Sequence, residues 1–113
     1  MATINGVNFD DVAKDALVAA EAVIGANWSD IRDIVQNIAN GLVNDVTFIA
    51  QKKATGEFNE DDARTWLEDQ KMVARIRLRS VAVITLQLAE RILNAMIEVF
   101  NAAIKKAIGW SIV

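Results

Sequence analysis

Apolar residues recur at steps of three and four through most of the chain, and this spacing predicts helices. Phe9, Val12, Ala13, Ala16, Leu17, Ala20, Val23 and Ile24 fall on one helical face. Asn8 stands before them as an N-cap. Asp10 and Asp11 occupy the first turn, where the helix dipole favours negative charge. Gly25-Ala26-Asn27 reads as a stop followed by a new cap, so the first helix is expected over 9–25. Trp28, Ile31, Val35, Ile38, Leu42, Val46 and Ile49 form the stripe of a second helix, expected over 28–53. Beside it run Asp30, Asp33, Asn37, Asn40, Asn44, Thr47 and Gln51, which read as the wet face of an amphipathic helix or, in an oligomer, as register-fixing polar groups. Gly41 inside this helix costs roughly 1 kcal/mol against alanine and marks either a close helix approach or a kink.

Ala54 to Phe58 is a turn. Asn59 then caps a third helix, Glu60, Asp61 and Asp62 fill its first turn, and Phe58 is placed to staple onto Ala63. No glycine or proline follows before Gly109, so this helix is expected over 59–108, a length of ~75 Å. One segment competes. Arg75-Ile76-Arg77-Leu78-Arg79 alternates with period two, and Val81 to Thr85 is rich in β-branched residues, which is a strand pattern. No turn residue bounds it and the helical period continues on both sides, so the helix is the reading adopted. Residues 1–8 form an N-terminal arm and 109–113 an apolar tail.

The third helix carries more apolar surface than one neighbour can cover. Arg77, Arg91, Glu98 and Lys105 with Ser80, Gln87, Asn94 and Asn101 make one polar stripe, which Ile84 interrupts. The remaining heptad positions are mostly apolar and include Leu78, Val81, Val83, Leu86, Leu88, Ile92, Leu93, Met96, Ile97, Val99, Phe100 and Ile104. A two-helix seam uses only about two positions in seven. The expected fold is therefore all-α: a long antiparallel hairpin of two shorter helices against one of about 50 residues, assembling into a four-helix or larger bundle. This hairpin sets Trp28 beside Ile84 and Lys14 beside Glu98. In the alternative, the first helix doubles back at Gly25 into a three-helix bundle and the end of the third helix projects bare. Both arrangements call for a homo-oligomer, a dimer or higher, with Leu86, Leu88, Leu93, Met96, Ile97, Phe100, Ile104 and Trp110 at its interface.

Composition narrows the function more than it names one. The 113 residues fit one domain, with 53% hydrophobic and 24% charged residues. There is no histidine and no cysteine, which removes the commonest general base, the commonest metal ligand and every thiolate site. A di-iron bundle needs Glu-x-x-His pairs and has none here. Glu90 interrupts the apolar row Val83, Ile97, Ile104 and would approach Glu21, a pair able to hold a cation; pairing with an arginine across the bundle, or pointing to the rim, is the better reading. No catalytic, cofactor-binding or metal residue is assigned.

Lys71, Arg75, Arg77 and Arg79 make a basic patch, but Glu68 and Asp69 adjoin it and the net charge is -3, so a salt-bridged face is expected rather than a nucleic-acid site. The tail from Lys105 to Val113, basic then apolar, is expected to dock within the assembly, with a membrane interface as the weaker alternative. Trp28 is followed by Ser29-Asp30, which departs from the Trp-x-Gly turn of small secreted helical hairpins. The first ten residues show no signal-peptide pattern. Glu90 and Arg91 sit in the middle of the most apolar window, which argues against a membrane span. The expectation is a non-enzymatic assembly protein, an oligomer subunit or scaffold for protein partners, cytoplasmic or within an assembled particle. The alternative is an amphipathic protein that works on lipid.

Overall fold

The ends of the helices follow the chemistry of a few side chains. In the computed structural model, which describes residues 3–81 and 84–112, Asn8 opens α1 (Phe9–Ile24) by accepting from the backbone N–H groups of Asp10 and Asp11. A 3-10 turn, Gly25–Asn27, leads into α2 (Trp28–Ala54). Asn27 makes no side-chain cap, contrary to the expected new start there, because the chain stays helical through the turn. Asn59 and Asp62 cap α3 (Glu60–Arg79) reciprocally, as a capping box. Met1, Val83 and Val113 lie outside the described residues.

The third helix is not one helix. α3 closes at Ser80, whose hydroxyl donates to the Arg77 carbonyl at 2.7 Å. A separate α4 (Leu86–Ile108) opens from Thr85, whose Oγ1 accepts from the Leu88 N–H at 3.1 Å. The β-branched run from Val81 to Thr85 is the local reason: such side chains lose χ1 freedom in a helix, and serine and threonine compete for backbone groups at its ends. The alternating segment Arg75–Arg79 does belong to a helix, the last turns of α3.

Helical residues run from Phe9 to Ala54, and a straight helix of that length would span ~69 Å. The longest dimension of the molecule is 43 Å, about the length of α2 alone, so the chain reverses at Gly25, where φ is +66°. It reverses again after Gly56 and between α3 and α4. Arg77 reaches Asn37 and Trp66 stacks on Phe48, setting α3 antiparallel to α2. Arg75 reaches Glu90, setting α4 antiparallel to α3. Phe9 stacks on Phe100 at 6.4 Å, setting α1 antiparallel to α4. The result is an up-down-up-down bundle of four helices within one chain.

The largest helix–helix packing is between α1 and α4, so the first helix covers the apolar excess of the last. Ala16, Ala20 and Phe9 on α1 are fully buried, as are Ala89, Ile92 and Met96 on α4. No polar or charged residue is buried among those described. The polar stripe of α2 is largely exposed and Asn37 takes its hydrogen bond from the chain's own Arg77, as a wet face would.

Both chain ends are tied to the same end of the bundle. Thr3–Ile4 (β1) pairs antiparallel with Val7–Asn8 (β2) across Asn5-Gly6, both at positive φ as a two-residue hairpin turn requires. The Asn5 amide donates to the Ala107 carbonyl, at the end of α4. Beyond Gly109 the tail folds under the bundle: Lys53 sits 4.9 Å from the Trp110 ring centre and donates to the Ile108 carbonyl, Arg64 donates to the Ser111 carbonyl, and Ile112 is wholly buried.

A Cβ added at Gly41 would meet no atom within 4 Å, so this glycine does not serve a close approach. Gly41→Ala is expected to raise stability by about 1 kcal/mol in denaturant titration. Thr85→Ala is expected to lower it by about 1 kcal/mol through loss of the α4 cap, read in the same titration.

Candidate interaction surface

Four of the eight side chains expected at an oligomer interface are consumed by the bundle itself. Leu93, Met96, Phe100 and Ile104 are at most 1% exposed in the single chain. Leu88, Ile97 and Trp110 are half-buried against the same core. Only Leu86 stands open, at 52%. The expected hairpin left one flank of this helix for a second copy, whereas in the single chain α4 packs against α1, α3 and α2.

The apolar surface that does remain in water gathers on α3. Met72 is 55% exposed, Val73 41% and Ile76 63%. They follow one another at helical spacing on the face opposite the buried Leu67, Ala74 and Leu78. The Arg75–Glu90 pair ties α3 to α4, whose first residue, Leu86, is also exposed. Among the described residues the remaining exposed large apolar side chain, Val18, sits on α1.

α3 is held at both flanks and left open between them. Low on the helix, Trp66 stacks on Phe48 with ring centres 4.5 Å apart, and Phe58 meets Phe48 edge-on at 5.8 Å. On one edge the Arg75 Nε donates to both Glu90 carboxylate oxygens, at 2.8 and 2.9 Å. Of the two arrangements expected for Glu90, an arginine partner or the rim, the structure has the arginine. On the other edge Arg77 donates to Asn37 Oδ1 at 2.9 Å. Lys71 pairs with Glu68 at 2.8 Å. The basic patch is in large part engaged inside the molecule. Among the described residues Asp69 and Arg79, both exposed, take part in no ion pair.

Asp45 lies half-buried in the groove between α2 and α3, beside Gln70 and Arg77. Desolvation raises its carboxyl above the ordinary value. The Trp66 indole N–H, turned toward it outside normal hydrogen-bond geometry, and the Arg77 charge offset part of that rise. Chemistry beyond this is sparse. Among the described residues no group of three acidic side chains gathers as a metal site, and no helix is long and apolar enough to cross a membrane.

Sequence reasoning took the basic positions of α3 as its notable feature and passed over Met72, Val73 and Ile76. A signal was present: Asp69, Met72, Ile76 and Arg79 repeat at steps of three, four and three, the seam spacing of a helix that meets another helix. No family model, curated protein or solved structure matches the chain.

The Asp45 shift has a definite sign. A carboxyl raised by burial destabilises the fold while charged, so its contribution improves as pH falls from neutral through its own raised pKa toward the ordinary carboxylate range. Asp45→Asn is expected to raise the melting temperature at pH 7 and to remove that part of the pH dependence. Glu57, which Lys52 and Thr55 hold below its ordinary value, changes stability in the opposite direction, so wild type and variant are compared at each pH in thermal melts.

Proposed function

We infer that this protein is a non-enzymatic helical bundle that works by contact with other protein, and that the contact surface is the outer face of α3. One observation carries the reading. Among the described residues most large apolar side chains are buried or half-buried, yet Met72, Val73 and Ile76 stand exposed together on one face of α3. Single exposed apolar residues are ordinary, whereas a contiguous group rimmed by charge marks an interaction site. Arg75 and Arg79 supply such a rim and Glu68 and Asp69 continue it.

The lipid reading draws less support. α4 turns its apolar face into the bundle, so among the described residues an intact molecule offers a bilayer Met72, Val73 and Ile76 on α3, with acidic residues directly below them on the same helix, and the scattered Leu86 and Val18. Interfacial helices present a longer apolar face and a predominantly basic border.

A photo-crosslinking amino acid at position 76, compared with one at position 18, tests the proposal in expressing cells. Protein adducts are expected at 76, lost when Met72→Glu is added, and absent at 18. Equal labelling at the two positions, or none, overturns it. Co-sedimentation with vesicles of neutral and anionic phospholipid is expected to leave the protein in the supernatant.

A further inference from the structure

The geometry points to a second copy of this chain as the occupant of the α3 face, bound antiparallel, α3 against α3. The inference rests on the reading of that face as a protein-contact surface and names its partner.

Asp69, Met72, Ile76 and Arg79 lie in one line along the outer face, at seam spacing. Reversed, the same line reads Arg79, Ile76, Met72, Asp69. Laid antiparallel about a twofold axis, Met72 of one copy meets Ile76 of the other and Asp69 meets Arg79. Symmetry repeats each contact, so two apolar pairs are closed at either end by an ion pair. The line is self-complementary in this direction alone. Run parallel, it would set Asp69 against Asp69 and Arg79 against Arg79, which repel.

The charges fit what the single chain leaves unused. Lys71, Arg75 and Arg77 are engaged by Glu68, Glu90 and Asn37. Asp69 and Arg79, the two the seam requires, form no ion pair among the described residues. They flank the two most exposed apolar residues of α3, Met72 and Ile76. An acidic helix from another protein would satisfy Arg79 and leave Asp69 repelled, whereas a second copy satisfies both.

The seam covers three turns, and an interface of that length falls below the ~1,200 Å² of standard stable complexes. The dimer is therefore of the weak, reversible kind.

Sedimentation velocity from about 5 to about 500 µM tests the pairing. Wild type is expected to pass from monomer to dimer over this range. Arg79→Glu and Asp69→Arg are each expected to weaken association at least about tenfold, and the double variant to recover it because the pair is exchanged across the axis. Asp69→Asn and Arg79→Gln serve in place of any reversal that fails to give a helical circular-dichroism spectrum, and are expected to weaken association in the same direction. Wild type monomeric throughout, single variants unchanged, or a double variant no better than either single overturns the inference. If wild type is monomeric while a crosslinker at position 76 still captures other proteins, self-pairing alone falls; if neither occurs, the contact-surface reading falls with it.

Discussion

The apolar surface of α4 is the constraint from which the rest of the fold follows. Left in water, each of its large side chains would forfeit roughly 1.5–3 kcal/mol. α1 is the helix that packs on it most extensively, with Phe9 at one end of the shared face stacked on Phe100. α1 reverses at Gly25 and α4 returns after Ser80, so the pair they form also packs against α2 and α3. Once both reversals are made, α2 and α3 complete the box, and the longest helix, α2, sets the length of the molecule. Covering α4 within the chain also removes the burial reason for obligatory oligomerisation. The association proposed for α3 is instead a separate, weaker matter on a different face.

What was legible in the sequence was whatever a few neighbouring residues decide. Asn8 and Asn59 cap the helices they were expected to cap, because their side chains need only N–H groups two or three residues away. The hairpin between α2 and α3 follows from the turn at Gly56, and Glu90 finds its arginine across the bundle. The all-α class follows from the unbroken three-four spacing. The Asn5-Gly6 hairpin was equally local and was left as a featureless arm, although Asn-Gly is the strongest short signal for such a turn.

What was not legible was set by competition over distance. Between Ser80 and Thr85 the local signals were mixed: helical spacing favoured continuation, while β-branched residues and a cap-forming threonine favoured a stop. Periodicity alone could not weigh them. The balance is tipped by burial elsewhere, since a straight hairpin would cover α4 on one flank, with α1, and the folded chain packs it against α1, α3 and α2. Leu93, Met96, Phe100 and Ile104, expected at an interface between chains, are buried within the single chain once that junction folds.

The pairing of α1 with α4 also has a kinetic side. The two helices that share the largest surface stand at opposite ends of the chain, so joining them closes the longest loop in the fold, and the entropy of that closure must be met before the burial is gained. The α2–α3 hairpin, by contrast, closes over a handful of residues. Loop closure alone therefore favours the α2–α3 contact over the α1–α4 contact as the cheaper one to make first. The Asn5 hook on Ala107 and the folded tail hold the α1–α4 contact shut at the end where the chain's two extremities meet.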